Sequence, residues 1–159
     1  MGIYRTTRNI EASLIDYITT QINASWTGVA VEKTFARIYD IDLPSICVAS
    51  NVSSHEKAEI GSDSTVRTVQ ILINIFGSSD GNKLDLTDFL VEKLKGGCVY
   101  YNYVIENGVV KTKTADGRIR VTDVTITPLN FTEDRNNLDP HDRFRNLITL
   151  EVGLGKIET

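Results

Sequence analysis

The longest regular pattern in the chain sets Val69, Ile71, Ile73 and Ile75 against Thr68, Gln70 and Asn74. That spacing of two predicts a half-buried strand over Thr65–Phe76. Leu72 and Phe76 interrupt its polar face, so the second face is expected to meet a subunit or layer contact. The run GSSDG at 77–81 then stops the strand, and Leu86, Phe89, Leu90 and Leu94 recur at helical spacing. They predict a helix over Lys83–Lys95, capped by Asp80 or Asn82 and ended by Gly96 and Gly97. A first helix is expected over Arg8–Ile22, where Ile10, Leu14, Ile18 and Ile22 form a stripe that Ile15 and Tyr17 widen. Thr6 or Thr7 is its candidate cap, and Glu11 in the first turn has the sign that suits the helix dipole.

Shorter patterns fill the remainder. Val29–Ile38 alternates only in part, and Pro44 bars a central-strand position before Ser45–Ser53 resumes as a strand. The polar run His55–Asp63 is expected to join that strand to the long one as a two-stranded antiparallel ribbon with an exposed tip. Cys98–Ile105 and Val109–Lys113 read as strands joined through Glu106, Asn107 and Gly108, where Asn-Gly is a hairpin signal. Ile119 and Val121 are out of phase with Val124 and Ile126, which predicts a bulge or an edge at Thr122-Asp123. Leu129–Arg143 reads as a polar loop, and Ile148, Leu150, Val152 and Leu154 alternate in a closing strand. The fold expected is therefore α+β, a largely antiparallel or mixed β-sheet with two main helices packed on one side. It forms a single domain over residues 1–159, with a hairpin region near 98–121 and a polar loop near 130–143. Its core is expected to comprise Ile10, Leu14, Ile18, Val69, Ile71, Ile73, Leu86, Phe89, Leu90, Ile148, Leu150 and Val152.

Composition narrows the function more than it identifies it. At 159 residues the chain can bury a core without covalent staples. Hydrophobic residues at 41% and charged residues at 24% fit a globular domain rather than a disordered or membrane-resident one. No apolar run approaches the roughly 20 residues of a membrane helix, and the N-terminus reads as a plain cytosolic start. A net charge of −4 with both signs intermixed leaves no basic stripe for reading nucleic acid. Cys47 and Cys98 sit among apolar strand residues and are expected to be buried free thiols.

Candidate chemistry is sparse. The two histidines, His55 and His141, both fall in predicted polar loops. His55-Glu56 has no second histidine four residues on, as a helical zinc site would require. Asp139-Pro140-His141-Asp142 offers polar groups without the three or four convergent ligands of a zinc centre. The acidic run from Glu133 to Asp139 fails as a calcium loop, because Arg145 stands where the bidentate glutamate belongs. No Gly-x-Ser-x-Gly occurs, and Gly153-Leu154-Gly155 is followed by no helix that could open a dinucleotide site. No catalytic, metal or cofactor-binding residue is expected, and no cofactor.

The order of elements is more telling. An N-terminal helix leads to the Asp42-Leu43-Pro44-Ser45-Ile46 start of a strand, then to the long alternating strand Thr65–Phe76 with Arg67 near its beginning. A glycine-rich stop, the helix Asp85–Lys95 and the closing strand Asn146–Gly153 follow. This layout resembles the tail terminator, or tail-completion, proteins of long-tailed bacteriophages, including the lambda type. The resemblance implies a structural virion protein at the head-proximal end of the tail, assembled in the host cytoplasm as a hexameric ring. Its partners would be further copies of itself, the tail tube protein and a head-completion or neck protein, with DNA passing through the lumen without sequence-specific binding. Candidate interface residues are Leu72, Phe76, His55, Glu56, Glu59, Asp63, Glu133 and Asp134; the last five carboxylates are also candidates for an acidic lumen wall. A head-closure or other connector protein of the same virion is the alternative, and a small hydrolase using His141 and Asp142 is a third reading.

Overall fold

The computed structural model describes residues 5–33, 40–129 and 138–158. Its elements in chain order are α1 (Thr6–Ser25), β1 (Ala30–Lys33), β2 (Ser45–Lys57), β3 (Thr65–Phe76) and α2 (Asp80–Leu94). They continue with β4 (Cys98–Glu106), β5 (Val109–Leu129), α3 (Pro140–Arg143), β6 (Arg145–Gly153) and β7 (Ile157–Glu158). The strands join in the order β1-β2-β3-β6-β5-β4, with β7 pairing β3 as well. β1 is parallel to β2 and every other pairing is antiparallel, so the fold is α+β with a mixed sheet.

β5 gives the sheet its curl. This strand of 21 residues pairs with β4 over Val109–Ile119 and with β6 over Arg120–Leu129. It therefore carries the hairpin away from the main sheet and against α1. There the Tyr101 N–H donates to Ser13 Oγ at 3.0 Å, and Asn9 Nδ2 donates to the Tyr100 hydroxyl at 3.3 Å. The expected irregularity is a register shift between Val121 and Asp123.

The core lies between one face of the sheet and both long helices. Register sets Ile46 opposite Ile75 and Val48 opposite Ile73; across β3, Ile73 meets Ile148, Ile71 meets Leu150 and Val69 meets Val152. These residues are fully covered by Ile10, Leu14, Ile18 and Ile22 of α1 and Leu86, Leu90 and Leu94 of α2. Of the expected core, Phe89 alone is half-buried; its ring packs edge-on against Trp26, centroids 5.9 Å apart.

Several expectations are corrected. α1 begins earlier than its hydrophobic stripe, and neither Thr6 nor Thr7 caps it; the cap position is Arg5, with no side-chain bond. Thr7 is engaged elsewhere, accepting from Arg67. Ser79 caps α2, because its extended backbone lets Oγ accept the Asn82 N–H at 3.1 Å, whereas Asp80 and Asn82 are already helical. Part of the run His55–Asp63 is strand rather than loop, since β2 reaches Lys57.

Phe76 does not face a neighbour. It is fully buried within the chain against Cys47 and Leu43, with the Arg145 guanidinium 4.7 Å from its ring centroid. His141 is likewise no solvated loop residue. It is buried in α3, with Nδ1 3.0 Å from Asp139 and Nε2 2.6 Å from the Ile41 carbonyl, and it meets Phe76 edge-on. The loop expected over 130–143 therefore ends in a capped turn that covers one end of the outer sheet face. Asp142 bonds Arg145 at 3.2 Å, and residues 130–137 lie outside the described residues.

Candidate assembly surfaces

Two β-ribbons project beyond the core, and both begin in sequence features already noted. In the first, Ser53–Lys57 pairs with Thr65–Val69 beyond a register shift between Ser50 and Ser53. Its turn is closed by the Ala58 N–H donating to the Ser64 carbonyl at 2.9 Å and by the Ser64 N–H donating to Ser62 Oγ at 3.0 Å. Gly61 takes a φ of +80°, the left-handed backbone that glycine adopts without strain. At the ribbon's base Arg67 donates to Thr7 of α1 at 2.9 Å and to Glu158 of β7 at 3.1 Å. One partly buried guanidinium thus ties a helix, the long strand and the last strand together, which fixes the ribbon's direction.

The second ribbon is the β4–β5 hairpin. Asn107 and Gly108 both have positive φ, 52° and 77°, as a two-residue hairpin turn of matching twist demands. Asp16 of α1 anchors the ribbon, accepting from Tyr103 Oη at 3.1 Å and Lys113 Nζ at 2.6 Å. Burial and the neighbouring Asp16 push the Tyr103 phenol up to about 12, so it stays protonated and donating. Lys113 also lies 4.4 Å from the Tyr101 ring centroid, a cation–π contact on an exposed surface.

Between α1 and this ribbon runs a groove divided by the Asp16–Lys113 pair. One part, of about 280 Å³, lies beside Cys98, Tyr101 and Arg118. The other, of about 460 Å³, has Ala12, Ile15, Ile105 and Val110 among its apolar lining and Arg8, Lys33 and Lys113 as its cations. Glu11 and Asp16 also reach this part. The Glu11 carboxyl is pushed up by its burial, but the Ser50 N–H at 2.8 Å and Lys33 at 3.1 Å outweigh that and hold it below the ordinary range.

The candidate interface residues do not form one patch. His55, Glu56, Glu59 and Asp63 gather, exposed, on the first ribbon and its turn; Asp63 lies 3.8 Å from Lys57, and His55 lies 3.9 Å from Glu158. Leu72 is half-buried on the outer sheet face, opposite Ala49 and Thr149, and Phe76 is interior. Glu133 and Asp134 lie outside the described residues. What the pattern reading missed is the second ribbon's apolar surface, with Val104, Val109 and Val110 all exposed. A signal was present, since Val109 and Val110 are adjacent and successive strand residues point to opposite faces.

Neither thiol is poised for reaction, because burial pushes both Cys47 and Cys98 up to about 11. Among the described residues no three His, Cys, Asp or Glu side chains converge on a point, and no helix is long and apolar enough to cross a membrane. No protein-family model matches the sequence, and no curated protein is significantly similar to it.

Proposed function

We propose that this chain is a ring-forming tail terminator of a long-tailed phage. It would cap the tail tube, stop its polymerisation and present the surface to which the head attaches. The observation that carries the reading is where exposed apolar side chains lie. Every exposed large hydrophobic among the described residues, Leu84 excepted, sits on a projecting ribbon, at its base or on β5: Val52 at the register shift where the first ribbon begins, Ile60 and Val66 along that ribbon, Val104, Val109 and Val110 on the second, and Ile126 farther along β5. Apolar residues gathered on projections rather than scattered singly suit a subunit completed by its neighbours.

The work such a protein does is steric. A ring of identical subunits built by head-to-tail contacts closes when the rotation between neighbours allows it. One side of that ring complements the last ring of the tube, and the other offers the tube subunit no purchase, so growth ends. DNA crosses the lumen without base-specific contact, in keeping with a net charge of −4 and no basic stripe.

Electron microscopy of particles assembled without the protein tests the reading. Tails of abnormal length attached to no head support termination. Tails of normal length beside emptied heads would instead assign the chain to head closure, and normal particles would overturn both.

A further inference from the structure

Building on the ring-forming reading, we infer that neighbouring subunits join tip to groove. The turn of the β2–β3 ribbon of one copy seats Ile60 in the α1–hairpin groove of the next. Ile60 has a relative exposure of 107%, so no described part of its own chain covers it. It stands at the end of a ribbon rooted by Arg67 in α1 and β7, and so is held out at a fixed distance rather than on a slack loop. From the His55–Arg67 pair to the closing Ala58–Ser64 bond is three residues on each strand, an advance of about 10 Å at the usual rise per residue.

The groove answers the tip in size and charge. A volume of about 460 Å³ with Ala12, Ile15, Ile105 and Val110 in its lining accommodates a branched aliphatic side chain with room for the turn around it. Its two acids are already engaged, Glu11 by Lys33 and the Ser50 N–H, Asp16 by Lys113 and Tyr103. Arg8 is exposed at the same groove and pairs with no opposite charge among the described residues. On the tip, Glu56 and Glu59 are exposed acids that also lack an opposite charge there, flanking an apolar residue with nothing to touch. An unpaired cation beside an apolar hollow and unpaired anions beside an apolar knob are complementary surfaces. They occupy different places on one chain, so the contact is heterologous and propagates from copy to copy until the ring closes. In this arrangement the ribbon's carboxylates belong to the subunit contact and not to the lumen wall.

The test is sedimentation mass against concentration for the full chain and four variants: Ile60→Asp, Arg8→Glu, Glu59→Arg and the double swap Arg8→Glu with Glu59→Arg. All these positions are exposed, so circular dichroism should show the native fold in each variant. Ile60→Asp is expected to raise the concentration for half-assembly by about tenfold or more, as loss of a central anchor does. Each single charge reversal should raise it about fivefold, and the double swap should return it to within about twofold of the original, the coupling expected of a direct pair. Assembly unchanged in Ile60→Asp would overturn the tip-to-groove contact while leaving the ring-forming reading intact. Weakening by Arg8→Glu but not by either tip variant would show that another segment fills the groove, and would overturn it too. A wild-type chain that stays monomeric at every concentration, with or without tail-tube protein, would sink both readings.

Discussion

Two adjacent glycines at the end of α2 should respond in opposite directions to the same substitution. Gly97 has a φ of +72° and donates its N–H to the Leu94 carbonyl at 2.9 Å, closing the helix before β4 begins. A methyl group there would overlap the carbonyl oxygen of Ile119, the residue that Cys98 opposes in the β4–β5 pairing. Gly97→Ala therefore carries two costs. The left-handed backbone costs about 1–2 kcal/mol for a residue with a Cβ, and forcing the β5 backbone aside in a packed region costs about 1–3 kcal/mol. The sum, roughly 2–5 kcal/mol, corresponds to a fall in Tm of about 5–15 °C for a chain of this length. Gly96 has open space where its Cβ would stand, and its φ is not positive. Gly96→Ala should leave stability unchanged or raise it by up to about 1 kcal/mol, through a less flexible unfolded chain. Urea unfolding of both variants followed by circular dichroism measures the contrast. Equal losses, or a Gly97→Ala protein as stable as the parent, would show that neither the backbone conformation nor the approach to Ile119 constrains this corner.

Ser79→Ala removes the oxygen that accepts the Asn82 N–H and should cost about 1 kcal/mol, whereas Asp80→Ala should leave that cap in place. Ile73→Ala, at the fully buried meeting of β2, β3 and β6, should cost about 2–5 kcal/mol in the same urea assay. Glu11 sets a pH dependence of known sign. Its folded carboxyl titrates below the unfolded value, so its contribution is present above about pH 4.3 and is lost as pH falls through the lower folded value. Glu11→Gln should therefore cost about 1–2 kcal/mol at neutral pH, with the gap between variant and parent closing in acid; a gap independent of pH would remove the carboxylate from the account.

Where periodicity and burial coincide, the fold was readable. The alternation from Val69 to Ile75 and the stripe from Ile10 to Ile22 each match a buried face, because a sheet and a helix covering one another need nothing more than that repeat. Asn107-Gly108 and the phase break at Thr122-Asp123 were legible for a different reason, since turn and bulge chemistry is local. Phe76, expected at a subunit or layer contact, meets a layer of its own chain, and His141, expected in a polar loop, is buried; neither set of partners was legible, because they are remote. The ring of Phe76 is covered from Leu43, Cys47 and Arg145, and His141 reaches the Ile41 carbonyl a hundred residues away, contacts that no local spacing encodes. Ribbon length was underestimated for the same kind of reason. His55-Glu56-Lys57 is polar enough for a loop, but backbone pairing with Thr65–Arg67 and the Arg67–Glu158 bond hold it as strand. The groove was not legible at all, since it exists only when β5 carries its hairpin against α1.

One open edge of the sheet, that of β5 beyond the hairpin, bears on how copies would meet. Beyond Ile119, β4 no longer pairs with β5, so Arg120–Leu129 is bonded to β6 on one side and to no strand on the other among the described residues. An open edge is a template for uncontrolled strand addition. This one carries Arg120 and Asp123, a bulge between Val121 and Asp123, and Pro128, which has no N–H to donate. Each of these hinders a second strand from docking in register. The ribbon turns instead present single apolar side chains, Ile60 and Val109, on short backbones held by their own turn geometry. Strand addition along the edge would build a sheet without limit, whereas side chains seated from fixed turns define a distance and an angle between copies. Under the ring-forming proposal, copies would therefore meet through the ribbon turns rather than along this edge of β5.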